Sequence, residues 1–309
     1  MQTIDDVAIN FNSDALLLLN VLVAFLMFGV AMDIRLEDFR RLFRAPKVPL
    51  VGLLSEYGLL PLITFAMIWL FEPAPSVALG MVLLSVCPGG STSNYMVHLS
   101  GANAALSVLL TSITTLAAAF LTPLFFAFWS GYLDLPESLQ TAIQVDPLSM
   151  VWSIVQVLVI PLTIGMVINH RFPNIKAKIE KPIRTLSLLI FLGFVVGAVA
   201  SNYSNIVDYL GFIFWIVLLH NALALAAGYG FAKLWRLEER DARAISIETG
   251  IQNTALGLFL IFNFFDGLGG MAIIMAWWGV WHLISGFGVA WLFRRLSGAA
   301  RTSQSPTAK

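Results

Sequence analysis

Two glutamates and two runs of small polar residues stand inside otherwise apolar sequence, and their chemistry suits a hard cation. Glu56 lies in LLSEYGLLPL and Glu248 in AISIETGIQNTALGL. A carboxylate at mid-membrane costs about 2.5–3.5 kcal/mol to insert, so it marks a functional site unless it is protonated and bonded to a neighbouring helix. Glu248 is followed by Thr249, Gly250, Gln252, Asn253 and Thr254, a stretch better suited to an unwound segment, about 249–253, than to a lipid-facing helix. The other run is VLLSVCPGGSTSNYM, residues 82–96. There Pro88, Gly89 and Gly90 open a break, about 88–92, with Ser91, Thr92, Ser93 and Asn94 around it. In hydrocarbon such a break is tolerated only where it is buried in protein or lines a cavity. Ser107 and Thr111, at i and i+4, share one helix face that Thr114 continues. Serine and threonine in membrane helices often bond only their own i−4 carbonyl. The inference therefore rests on the coincidence of both runs, whose oxygens are the ligands a hard cation prefers.

Other reactive side chains carry less. His220 and His282 fall near span centres and serve either as proton shuttles or in interhelical hydrogen bonds. His98 and His170 read as interfacial, and Cys87, the single cysteine, reads as a small buried hydrophobe. Trp277, Trp278 and Trp281 read as packing or interface anchors, and Asp33 as a surface partner of nearby bases. There is no phosphate loop, zinc-ligand spacing or nucleophile elbow, so nothing in the pattern points to an enzyme.

The elements that must hold these residues follow from composition. The 309 residues are 58% hydrophobic and only 12% charged, about half the charged fraction of a soluble domain. The chain is therefore an all-α polytopic membrane protein. A span needs about 20 apolar residues, which gives nine: about 15–33, 48–71, 76–99, 103–132, 149–169, 185–203, 209–233, 242–265 and 271–293. All 18 Lys and Arg fall after spans one, five, seven and nine, while the opposite loops carry acids alone. By the positive-inside rule the N-terminal segment 1–14 is outside and the tail 297–309 is cytoplasmic. The opening MQTIDDVAINFNSD lacks a basic run, so no cleaved signal peptide is expected. The zero net charge gives no indication of a nucleic-acid partner. Spans three and eight, both broken, run in opposite directions, as in an inverted-repeat secondary transporter in which half-helix ends face substrate and coupling ion.

CPGGSTSN, ALSVLLTSITTL, IETGIQNTALGL and WHLISG together resemble the sodium/bile-acid symporter family, over about residues 21–291. The resemblance implies two crossed discontinuous helices within a transmembrane domain, 15–296. That domain divides into a panel (about 15–33 and 149–203) and a core (about 48–132 and 209–293). It further implies two coupling Na⁺ ions and no other cofactor. One ion would use Ser93, Asn94, Ser107, Thr111 and Glu248. The second would use Glu248, the backbone carbonyls of Thr249 and Ile251, Gln252 and position 56. A small organic anion, bile-acid-like or a pantoate-like carboxylate, would touch Ser91, Thr92 and Asn253, with His282 at the border. Alternating access in a bacterial inner membrane is the implied setting.

Two positions depart from the family pattern. Position 56 is usually Gln and here is Glu56; the WHN-x-SG motif reads WHLISG, with Leu283 in place of Asn. An ionised Glu56 makes a site loaded with two Na⁺ electrically neutral, so Glu56 either tightens Na⁺ binding or titrates. The competing expectations are proton-coupled transport, efflux by the same fold through a reactive cysteine, and a ligand sensor that does not translocate.

Overall fold

Apolar sequence deprived of water has one local way to satisfy its backbone, and the chain takes it almost throughout. The computed structural model describes residues 4–6, 13–32, 45–142, 146–201 and 203–302. Its helices are α1 (Ser13–Ala31), α2 (Lys47–Phe71), α3 (Pro75–Ser85), α4 (Thr92–Ser100), α5 (Ala104–Ser130) and α6 (Glu137–Ala142). They continue as α7 (147–171), α8 (Pro173–Ser201), α9 (Tyr203–Leu234), α10 (Glu239–Gly250), α11 (Thr254–Phe264) and α12 (Gly269–Thr302). No strand occurs among the described residues. Among the described residues, five stretches are long and apolar enough to cross a membrane: Lys47–Phe71, Ala104–Ser130, Leu148–Arg171, Gly211–Leu234 and Gly269–Ser297.

Helices α2 and α7 each widen by one π turn, at Ser55–Leu59 and Val155–Val159. The cause is local: Pro61 and Pro161 follow, and a proline has no N–H and clashes with the carbonyl four residues back. The first of these turns carries Glu56.

Helix α3 is buried from Ser76 through Ser85 and packs on α12. Their backbones come so close that a Cβ on Gly80 would lie 2.7 Å from Met271 Cα. One apolar cluster gathers Leu79, Leu83, Phe259, Ile274 and Trp278. A second gathers Val51, Met96, Leu110, Ile245 and Ile247. The polar residues of both breaks lie along the chain between members of the two clusters.

The breaks differ in extent from expectation. The first opens earlier, leaving Val86 to Ser91 outside α3 and α4, because Pro88 and the two glycines that follow it cannot sustain either helix. The second spans only 251–253; Thr249 and Gly250 remain helical, so the unwinding expected from residue 249 does not begin there. Thr249 Oγ1 donates to Ile245 O at 2.8 Å, holding the helical turn. Helix α8 starts at Pro173, so the basic stretch expected as a connection before span six is helical, with Lys176 paired to Glu180 at 3.7 Å. Asp33 and its neighbouring bases Arg35, Arg40, Arg41 and Arg44 lie outside the described residues, as does most of the tail.

Candidate functional site

Each break exposes main-chain groups, and each is the other's partner. Gly90 N–H donates to Ile251 O at 2.7 Å, and Asn253 N–H to Pro88 O at 2.9 Å. Gly89 and Gln252 form an antiparallel bridge. This crossing requires glycine: a Cβ on Gly90 would lie 2.9 Å from Gln252 O. Buried backbone groups almost always find partners, and here two interrupted helices satisfy each other.

Beside the crossing sits Glu248, fully buried near the end of α10. Its Oε1 accepts from Ser93 Oγ at 2.5 Å and from Ser107 Oγ, and its Oε2 accepts from Thr111 Oγ1 at 2.9 Å. Asn94 Oδ1 lies 2.8 Å from Ser107 Oγ and 3.2 Å from Thr111 Oγ1. Helices α4, α5 and α10 thus bring together all five residues expected at the first cation position. The i, i+4 spacing on α5 aims Ser107 and Thr111 at one carboxylate.

The residues expected at the second position are only partly free. Glu56 is buried, and neither carboxylate oxygen has a hydrogen-bond partner; the same holds for Gln252 Oε1. Gly89 separates the two carboxylates, since a Cβ there would lie 3.0 Å from Glu248 Oε2 and 3.4 Å from Glu56 Oε2. The two expected carbonyls are already engaged: Thr249 O accepts from Gln252 Nε2 at 3.0 Å, and Ile251 O from Gly90 N–H. Each retains a second lone pair. Buried, partnerless carboxylate and amide oxygens are costly groups, and a hard cation satisfies them. Among the described residues no three His, Cys, Asp or Glu side chains form a metal cluster.

A cavity of about 140 Å³ lies against the crossing, lined by Ser91, Thr92, Asn253 and His282 together with Leu26 and Met27 of α1. All four residues expected to touch substrate therefore share one cavity, which Leu283 also lines. Asn253 has a structural task as well, because its Oδ1 caps α11 by accepting from Leu256 N–H at 3.1 Å. Ser91 precedes α4 without a capping bond.

Three residues beyond the expected set support this centre. Ser55 Oγ lies 2.7 Å from Thr249 Oγ1, tying the π turn of α2 to α10. Thr114 Oγ1 accepts from Gly89 N–H at 3.3 Å. Asn221 Nδ2 donates to Gly250 O at 2.8 Å, satisfying the last carbonyl of α10. Thr114 continues a visible helix face, whereas the other two look like ordinary helix residues in sequence. His220 is bonded to Thr64 Oγ1 at 2.8 Å and stands edge-on to Trp278. Cys87 is buried in the larger apolar cluster, and His98 and His170 are exposed.

Comparison with known proteins matches residues 20–209 to the Sodium Bile acid symporter family. Among similar curated proteins is an uncharacterized sodium-dependent transporter, YocS of Bacillus subtilis, 31% identical over 87% of this chain and 80% of the relative. A probable chloroplastic sodium/metabolite cotransporter of Oryza sativa, BASS2, is 33% identical over 79% of this chain. The probable cotransporter BASS1 of Arabidopsis thaliana is 31% identical over 87% of it. The matches span 56% and 65% of those two plant proteins. The family match extends over more than half of the sequence, and the chain belongs to the sodium/bile-acid symporter family.

Proposed function

We propose that this protein is a sodium-coupled symporter of a small organic anion, working by alternating access. The observation that carries the reading is the centre at the crossing. One buried carboxylate gathers three hydroxyls, and a second, Glu56, lies beside it with both oxygens unpartnered. In this reading two Na⁺ ions are cargo, one among Ser93, Asn94, Ser107, Thr111 and Glu248, the other among Glu56, Glu248, Gln252 and the carbonyls of Thr249 and Ile251. Nine spans in an inverted repeat, with a panel of about 15–33 and 149–203 moving against a core, belong to the same proposal. So do an external N-terminus and a bacterial inner-membrane location. The chain's similarity to a bacterial sodium-dependent transporter and to plant sodium/metabolite cotransporters favours sodium coupling and a metabolite-sized cargo.

The cavity favours a small carboxylate over a bile acid. At about 140 Å³ it falls below the roughly 300–1,000 Å³ of pockets for drug-sized ligands. Among the described residues no Lys or Arg lines it, so bound Na⁺ and the N-terminal ends of α4 and α11 would meet the anionic charge. Thiol-dependent efflux is disfavoured by the apolar burial of Cys87.

Uptake of radiolabelled small carboxylates into proteoliposomes, with and without a sodium gradient, tests the proposal. Glu248→Gln should abolish sodium-dependent uptake, and Glu56→Gln should raise the half-saturating sodium concentration. Persisting uptake at unchanged sodium dependence in Glu248→Gln would refute the site.

A further inference from the structure

A second cavity, of about 520 Å³, lies between α9, α10 and α12 and shares no lining residue with the one at the crossing. Its outer helices are both apolar enough to cross a membrane, and Ala222, Ala226, Gly288 and Leu292 on them are exposed. The cavity is therefore a groove open at the helix surface. Three hydroxyls in its lining are already used: Tyr229 donates to Glu239, Ser246 to Leu225 O and Ser285 to His282 O. Hydrocarbon in the groove leaves none of the three unpaired.

Length narrows the occupant. The lining runs from Trp281 to Phe293 on α12 and from Leu218 to Tyr229 on α9, roughly 17–18 Å of helix at 1.5 Å per residue. Half of the hydrocarbon core is about 15 Å, so the groove is about as long as one leaflet is deep. Charge marks one end. The rings of Tyr229 and Phe293 stack there 5.9 Å apart, and just beyond them both helices turn basic. Lys233, four residues past Tyr229, and Arg295, seven past Gly288, continue the faces that line the groove, and both are exposed. Arg295 lies over the Trp291 ring, and Lys233 shares Glu239 with Arg243. Residues 233–243, 294 and 295 hold six bases against three acids. An acyl chain alone makes no use of that surplus, whereas a headgroup of net negative charge does.

We propose that the groove binds one anionic phospholipid, with an acyl chain laid along α9 and α12 and the phosphate on Lys233 and Arg295. The test uses the full chain, delipidated in detergent and titrated with phosphatidylglycerol or phosphatidylcholine, with retained lipid counted by native mass spectrometry. One phosphatidylglycerol per chain is expected at concentrations where phosphatidylcholine is not retained. At about fivefold for each basic residue, Lys233→Gln with Arg295→Gln should weaken retention roughly thirtyfold. Gly288→Leu should abolish it by filling the floor of the groove, since a Cβ there meets nothing within 4 Å and the helix can accept it. Gly230→Leu is the control, equally open but outside the lining. Equal retention of phosphatidylcholine overturns the proposal, as does retention unchanged in the double variant. Full retention in Gly288→Leu would put the lipid elsewhere on the surface and likewise refute it.

Discussion

Gly89→Ala should weaken sodium binding while leaving the fold intact. The backbone of Gly89 is not in the left-handed region, so alanine meets no conformational penalty there. The new methyl would sit 3.0 Å from Glu248 Oε2, 3.4 Å from Glu56 Oε2 and 3.7 Å from Thr114 Oγ1. The closest of these is tighter than ordinary contact, so the Glu248 oxygen must give by a few tenths of an ångström. Cation sites tolerate about 0.2 Å in ligand distance, and disturbing the surroundings of ligands costs roughly 10–100-fold in affinity. At a sodium concentration about 100 times the wild-type Kd, binding adds about 2.7 kcal/mol to stability; a thirtyfold loss leaves about 0.9 kcal/mol. Thermal unfolding across a sodium titration, with choline holding ionic strength constant, reads this difference without a known substrate. Gly58→Ala is the control, since a Cβ on Gly58 has no neighbour within 4 Å. A Gly89→Ala protein that folds normally and half-saturates within twofold of wild type would refute the siting of the cation between the carboxylates.

Three further outcomes follow from contacts elsewhere. Thr64→Val removes the one hydrogen-bond partner that the buried His220 ring has among the described residues, its Nδ1 being already unpaired, and should cost about 1–3 kcal/mol of stability; Thr64→Ser should restore it. An unchanged melting temperature in the valine variant would contradict this. Asp5 Oδ1 accepts from Ser76 N–H at 2.8 Å at the start of α3, so Asp5→Ala should cost about 0.5–2 kcal/mol and speed hydrogen exchange at Ser76. For Glu239, burial raises the pKa, but hydrogen bonds from Arg243 and Tyr229 and the nearby Arg243 charge outweigh it, holding the carboxyl below the usual range. Its contribution is therefore present at neutral pH and lost as pH falls through that lowered value, beneath the ordinary 4.3 or so. Acid unfolding of Glu239→Gln should lack this small component, and an identical pH profile would exclude it.

The site was readable in the sequence wherever a local rule was broken. Prolines, glycines and hydroxyls inside apolar runs announced both interruptions, and the spacing of Ser107 and Thr111 announced a shared face. Thr249 was misread as unwound because its hydroxyl bonds back to Ile245 O, a choice that composition does not reveal. The Thr64–His220 pair spans 156 residues and the Ser55–Thr249 pair 194. Such partners are set by how helices pack, which periodicity does not encode. The widened turns before Pro61 and Pro161 were not foreseen, because a proline inside an apolar helix is equally compatible with a kink. Breaks in local pattern were legible; tertiary choices among equivalent helix residues were not.

Because Gly90 and Asn253 each donate to the opposite strand of the crossing, the two interruptions are riveted together in the chain's interior. Sliding one past the other would break two buried main-chain pairs at once. The crossing is thus an anvil rather than a joint, and its amides belong among the slowest in the molecule to exchange with deuterium. The opposite wall of the small chamber is different in kind: Leu26, Met27 and Val30 of α1 line it, and no main-chain hydrogen bond to the crossing is seen from them among the described residues.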